Sequence, residues 1–253
     1  MPTLVTIPYS HFCEKARWAL DWARVSFEEQ GHVPGMHLRA VARAKGKAGS
    51  VPVLLLDGDG VLDDSPQIVR WADSRATSDR KLFPSGGKEL DEAIALERHL
   101  DMNFAPHTRR WVYFHILPDR AQTLRLFGIA TPRGEHTLAR LGFPFLRRIM
   151  RSRMSIDEEN SQKSYDRIRA LFDEIDARLA DGRPYLMGDR FGAVDIAFAA
   201  FAAPLLHPPE HPYQQVPLDV LPPALAQEMR ELRERPAGAF ALWTYRERRR
   251  VQH

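Results

Sequence analysis

A hydroxyl and the only thiol of the chain, Ser10 and Cys13, stand three residues apart, just after a short apolar run that ends at Pro8. At the junction of a strand and a helix a serine has two possible employments. It caps the helix, or it offers its hydroxyl to an anionic group held against the exposed helical N–H groups. Both remain open on residue type alone. Because Cys13 is the single cysteine, an intrachain disulfide framework and a multi-cysteine zinc site are both excluded. A second constellation is Asp64-Ser65-Pro66. The free N–H groups of a helix start together with the Ser65 hydroxyl suit a carboxylate, and Asp64 suits an ammonium. Ordinary capping explains the same residues, and both roles can hold at once. His99, Asn103 and His107 recur at four-residue spacing, but two histidines eight residues apart make a poor ligand set, and no metal is expected.

The elements that must position these groups follow from periodicity. Residues 3–7 alternate β-branched and apolar positions and stop at Pro8, which reads as a short buried strand. From Cys13 to Arg24 the apolar positions Cys13, Ala16, Ala19, Leu20 and Ala23 recur with helical spacing. The pattern breaks around Gly31–Gly35, and residues 37–49 show no clear period. Residues 51–56 form a second strand, Asp57-Gly58-Asp59-Gly60 a turn, and Val61-Leu62 its return, a β-hairpin. Ser65 as N-cap and Pro66 at the first helical position begin a helix that ends near Arg75. Residues 1–76 therefore make one α/β domain, and residues 77–88, with Pro84, Ser85, Gly86 and Gly87, a linker. Everything from 89 to 253 reads as helical: a long helix over 89–117 bent near Pro106, a striped helix over 158–181, and an apolar helix over 193–206. Asp195 is the one charge in that last helix, which is hydrophobic all round and so belongs at the centre of its domain.

Composition sets the outer limits. With 44% hydrophobic and 27% charged residues and no apolar run of the roughly 20 residues that a membrane span needs, the 253-residue chain reads as a soluble globular protein. The first residues lack the basic start and apolar core of a signal peptide, so a cytoplasmic location is expected. Net charge is +3, which favours anionic small molecules. No nucleic-acid-binding motif accompanies that charge, and no nucleic-acid partner is expected. Residues 118–157 include Arg140, Arg147, Arg148, Arg151 and Arg153 among Leu138, Leu141, Phe143, Phe145, Leu146, Ile149 and Met150. Such a run reads either as a basic amphipathic helix for a membrane or acidic partner, or as a solvated face. The solvated face is the expectation, and membrane contact is not.

Three segments, in order, resemble the cytosolic glutathione S-transferase family. Tyr9-Ser10-His11-Phe12-Cys13 is similar to the glutaredoxin-derived motif whose first position is the active serine or cysteine. Ser50-Val51-Pro52-Val53-Leu54, followed by Asp64-Ser65-Pro66-Gln67-Ile68, is similar to the cis-proline strand and the acidic-residue-plus-serine helix start. Gly188-Asp189-Arg190-Phe191-Gly192-Ala193-Val194-Asp195-Ile196 is similar to the capping segment of the buried helix. Two departures stand out: Gly192 replaces the usual Ser or Thr, and residues 118–157 form an insertion in the helical domain.

The resemblance implies a thioredoxin-like N-terminal domain, an all-α C-terminal domain, and glutathione as cosubstrate. A thiol of pKa near about 8.5 is mostly protonated at neutral pH, and lowering it by about 1.5 units takes about 2 kcal/mol. One charged hydrogen bond supplies about 1.5–3 kcal/mol and a helix N-terminus about 0.3–1 kcal/mol, so the Ser10 hydroxyl is sufficient. By the resemblance, Cys13 takes the place of the second, resolving thiol. Alone it can form only a mixed disulfide with glutathione, or else lie buried as a small apolar residue. Val51, before a cis Pro52, would pair its backbone with the tripeptide, while Asp64 and Ser65 would take the γ-glutamyl end. The implied activity is a detoxifying transfer of glutathione to a small electrophile. The alternatives are a non-catalytic adaptor docking through the basic insertion, or a thiol reductase using Cys13. Along the long helix, Trp111, Phe114 and His107 would face the second substrate or pack in the core.

The resemblance also implies a homodimer. Light scattering at micromolar concentration should give twice the 29.0 kDa chain mass, and a mass of one chain across that range would refute the pairing.

Overall fold

The computed structural model describes residues 1–43, 49–58, 60–213 and 217–249. In chain order the elements are β1 (Thr3–Thr6), α1 (His11–Trp22), β2 (Glu28–Gly31), α2 (His37–Arg43), β3 (Val53–Leu55), β4 (Val61–Leu62) and α3 (Ser65–Arg75). They continue with α4 (Gly87–Asn103), α5 (Ala105–Ile116), α6 (Arg120–Phe127), α7 (Arg133–Leu141), α8 (Phe143–Arg153), α9 (Glu158–Leu179), α10 (Ala193–Leu206), α11 (Pro223–Glu234) and α12 (Pro236–Arg248). The four strands form one sheet in the order β2-β1-β3-β4. β1 runs parallel to β2 and antiparallel to β3, with Val5 opposite Val53, and β3 turns back into β4 with Leu54 opposite Leu62. This is a thioredoxin-like sheet followed by an all-helical region, the two-part architecture read from the sequence.

The chain divides into two compact units. One comprises Met1–Arg80 together with Ile116–Ser155, and the other Lys81–His115 with Ile156–Arg249. In the first unit Val5, Val41 and Val53 form a core under the sheet, with Ala40, Val51, Leu55 and Val61 packed around it. Two elements here had no signal in the sequence. β2 reads Glu-Glu-Gln-Gly and offers no apolar alternation, because it is an edge strand that pairs with β1 alone. α2 is a seven-residue helix with one buried side chain, Val41. The hairpin forms where expected, closed by Leu56 N–H donating to the Gly60 carbonyl at 2.8 Å; Asp59 of its turn, and residues 44–48, lie outside the described residues.

The insertion belongs to this first unit. It forms three helices, α6, α7 and α8, and its basic run is divided between α7 and α8 because Gly142 interrupts the path between them. Glu135 ties them down: its carboxylate accepts from the Val33 N–H at 3.0 Å and meets His32 Nδ1 at 2.8 Å. Phe127 stacks on Tyr9 with ring centres 5.9 Å apart. Gly31 explains why no side chain stands at its position, since a Cβ there would fall 2.3 Å from the Ala130 carbonyl and 2.7 Å from Pro8 Cγ.

In the second unit α10 is buried along almost its whole length, as its composition demands. Phe198 stands on it at the centre of an aromatic cluster, with Phe104, Phe172 and Phe240 at ring distances of 5.6, 5.8 and 6.3 Å. The long helix breaks at Phe104 rather than bending at Pro106: α4 ends at Asn103, Phe104 turns into the core, and Pro106 sits in the first turn of α5, where its missing N–H is harmless. The departure at Gly192 has a steric cause. Its backbone is extended and open to any residue, but a Cβ would lie 2.7 Å from the Leu82 carbonyl, which also accepts the Ala193 N–H. Asp195 supplies the missing cap, accepting the Gly192 N–H at 2.7 Å and the Leu186 N–H at 2.8 Å.

Complete burial pushes the Asp195 carboxyl up to about 7, against the pull of those two donors. The folded state thus holds this proton more tightly than the unfolded chain does. The stability it contributes is fully present below about pH 4 and is lost as pH rises through about 7. Asp195→Asn cannot titrate. The unfolding free energy of the parent should therefore fall relative to that of Asp195→Asn by about 3–4 kcal/mol between those limits. Parallel pH profiles in denaturant titrations would show instead that the two N–H donors keep the carboxylate charged.

Candidate functional site

The site grows from the turn between β1 and α1. β1 ends at Thr6, and Pro8 bars its continuation. The Ser10 N–H closes the turn on the Ile7 carbonyl at 2.8 Å, and the Ser10 carbonyl accepts the first helical bond, from Glu14, at 2.8 Å. Ser10 is therefore the N-cap of α1 by position, with extended backbone (φ −71°, ψ 126°), yet its side chain makes no capping bond. The hydroxyl points at the Cys13 sulfur instead. The Ser10 hydroxyl thus stands at the first turn of α1, bonded toward a sulfur rather than to the helix it caps by position.

Cys13 is completely buried. That burial pushes its thiol up to about 12; the nearby Arg17 charge, the Ile7 backbone and the Ser10 hydroxyl all pull it back, and Glu29 opposes them. It lies on the same stripe as Ala16, Ala19 and Leu20, all fully buried. A thiol in that state holds its proton through the physiological range and meets no solvent.

What the sequence did not disclose is the polar anchor under this turn. α1 is buried on every side, including Glu14, Lys15, Arg17 and Asp21. The Arg17 guanidinium, 3% exposed, donates to both oxygens of Glu29 on β2 (2.8 and 2.6 Å), to the Pro8 carbonyl (3.1 Å) and to Glu14. Thr6 of β1 donates to the same Glu29 at 2.7 Å. One cation thereby joins β1, α1 and β2 and holds the residue two places before Ser10. The only signal for it was an arginine three residues after a glutamate on a helix, which ordinarily marks a surface pair.

The second half of the site lies at β3 and α3. The Val51–Pro52 peptide is cis. The β1–β3 ladder stops at Val53, two residues short of Val51. Asp64, not Ser65, is the N-cap of α3, accepting the Gln67 N–H at 2.8 Å; Ser65 and Pro66 occupy the first turn, with Ser65 buried and Asp64 exposed. Asp64 has the extended backbone of an N-cap (φ −146°, ψ 163°), and its carboxylate takes the N–H of the third helical residue, while Ser65 already lies inside the first turn. A helix N-terminus, a hydroxyl and a carboxylate thus meet in sequence, as a zwitterionic α-amino acid group requires. Ser10, Val51, Pro52, Asp64 and Ser65 all belong to the first unit.

The histidines of the second unit are otherwise occupied. His99 pairs with Glu174 at 3.0 Å and with Asn103 at 3.2 Å, and His107 Nδ1 lies 3.2 Å from the Ser164 hydroxyl. Among the described residues no cluster of three or more His, Cys, Asp or Glu side chains is placed to hold a metal. Trp111 is buried and stacks on Tyr165 at 5.3 Å.

Comparison with known proteins bears on the family and the fold. Residues 4–80 match the family profile of the glutathione S-transferase N-terminal domain, and residues 156–227 that of the glutathione S-transferase C-terminal domain. Together the two matches cover more than half of the chain, and the chain belongs to the glutathione S-transferase family. No curated protein matches it in sequence. Among solved structures, a glutathione S-transferase from Xanthobacter autotrophicus is 17% identical with a TM-score of 0.64, over 98% of this chain and 93% of that one. A β-etherase from Sphingobium is 16% identical with a TM-score of 0.61, over 96% and 99%. The theta class glutathione S-transferase of Xanthomonas axonopodis pv. citri, solved with glutathione bound, is 22% identical with a TM-score of 0.55, over 95% and 96%. At these identities the likeness is one of fold. The matched segments exclude residues 81–155, which contain the insertion.

The state of Cys13 is directly testable. In the native protein it should resist alkylation by iodoacetamide at pH 8 and react fully once unfolded. Stoichiometric labelling of native protein within minutes would contradict the burial.

Proposed function

We propose that the protein is a glutathione transferase in which Ser10 stabilises the thiolate of bound glutathione for attack on a small electrophile. The observation that carries this reading is the uncapped Ser10 hydroxyl at the first turn of α1. Family membership supports glutathione as the cosubstrate, and the glutathione-bound relative of the same fold supports the same ligand here. In this reading residues 1–76 are the glutathione-binding domain, 77–88 the linker and 89–253 the helical domain, whose insertion clusters with the first compact unit. The Val51 backbone pairs with the tripeptide beside Pro52, Ser65 and the α3 N-terminus take its γ-glutamyl carboxylate, and Asp64 takes the ammonium. Homodimeric assembly, a cytoplasmic location and a detoxifying role complete the reading. No helix among the described residues is long and apolar enough to cross a membrane.

The chemistry asks little of the protein. The hydroxyl donates to a sulfur that becomes fully anionic, and no covalent bond to the enzyme forms. Cys13, protonated and enclosed, fits a packing role, and the reductase reading would need the buried thiol to reach glutathione as a thiolate. Asp64 has an oxygen left after capping Gln67, so capping and ligand binding are compatible.

Removing the hydroxyl with Ser10→Ala should raise the pKa of bound glutathione and slow transfer at neutral pH by roughly tenfold or more, with much of the rate returning at high pH. Cys13→Ala should transfer at nearly the parent rate. Asp64→Asn keeps the cap and removes the charge, so calorimetry should show glutathione bound about tenfold more weakly with α3 intact. A full-rate Ser10→Ala beside a dead Cys13→Ala would reverse the assignment of the reacting group.

A further inference from the structure

Eight large hydrophobic side chains are exposed among the described residues, and four of them, Leu138, Leu141, Phe145 and Ile149, fall within twelve residues of the insertion. Their exposures are 52, 76, 71 and 36%. Leu138 and Leu141 stand three residues apart on α7, and Phe145 and Ile149 four apart on α8, so each pair lies on one side of its own helix. The stripe is not the unpacked underside of loose helices. The inner faces of α7 and α8 are already seated, with Ala139, Phe143 and Met150 buried and Glu135 bound to His32 and Val33.

The charge around the stripe is of one sign. Between residues 133 and 153 there are six arginines and a single acid, Glu135, which makes the stretch +5 while the whole chain is +3 and the remainder therefore −2. On α8 the helical repeat of about 100° per residue sets Arg148 on one side of Phe145 and Ile149 and Arg153 on the other. Both arginines are exposed. The sequence reading of a solvated basic face accounts for the arginines but not for the apolar residues left on the surface between them.

From this pattern we infer that α7 and α8 form a peripheral docking surface for anionic lipid headgroups, with Leu141 and Phe145 entering the acyl boundary and the flanking arginines meeting phosphate and carboxylate groups above it. An apolar stripe bordered by arginines and free of unpaired acids matches an anionic bilayer in both shape and sign. A second copy of the chain does not match. A two-fold contact through this face would set one +5 stretch against another. The surface lies on the helices rather than through a membrane, consistent with the absence of a spanning helix among the described residues.

Co-sedimentation of the full chain with vesicles tests this apart from any enzymatic activity. With phosphatidylserine mixed into phosphatidylcholine, pelleting at low salt should exceed that with phosphatidylcholine alone by about fivefold or more and fall as salt is added. The paired change Leu141→Asp with Phe145→Asp, and separately Arg148→Gln with Arg153→Gln, should each lower it by about fivefold, with unchanged thermal melting showing that the exposed positions leave the fold intact. Equal pelleting with both vesicle types, or none with either, overturns the inference. So does loss in the arginine pair alone, which would mark a purely electrostatic surface suited to an acidic protein.

Discussion

The turn that carries Ser10 depends on one buried cation. Arg17 is held by two carboxylates from different elements and in turn holds the Pro8 carbonyl, so charge, together with Pro8 and the Ser10-to-Ile7 hydrogen bond, fixes the direction in which the chain leaves β1. A buried ion pair of this kind contributes little net stability compared with apolar packing, but removing one partner typically costs about 3–5 kcal/mol because the others stay buried and charged. The arrangement therefore resists drift more than it adds stability. Under the function proposed for Ser10, whose hydroxyl would have to meet a sulfur within hydrogen-bond reach, that resistance matters more than the net free energy.

Around this anchor the insertion adds a second constraint. Phe127 lies against Tyr9, Ala130 closes on Gly31, and Glu135 takes the polar groups at the end of β2. All three contacts land on the residues just before the site or on the strand beside it. The segment that looks most foreign to the family's pattern is thus fitted against the thioredoxin-like sheet and the turn that follows β1.

How much of this was legible in the sequence depended on whether an element announces itself through apolar periodicity. β1, α9 and α10 did so, since their buried faces are long and unbroken. β2 and α2 did not, because an edge strand of Glu, Glu, Gln and Gly and a helix with one buried valine take their structure from their neighbours. The helix start at residues 64–66 was visible as a group, but the cap lies one residue earlier, at Asp64, because two adjacent good capping residues leave the choice to the backbone. The stripe through Cys13 was visible too, whereas the buried charges on α1 were hidden: sequence spacing cannot tell a surface Glu–Arg pair from one enclosed beneath a strand. The absence of a side chain at Gly192 became intelligible only when the Leu82 carbonyl was seen against it.

The division of the chain carries a consequence for the order in which it is made. Residues 116–155 cluster with the first eighty residues, although the start of the other unit separates them. A ribosome releasing this polypeptide delivers the whole sheet early, but the partners of Tyr9, Gly31 and His32 arrive only after some fifty further residues have emerged. The helices that begin the second unit are meanwhile waiting for α9 and α10. Neither unit can be completed when its first segment is exposed: the first has all its described segments by residue 155, and the second begins to receive its remaining helices only after that point.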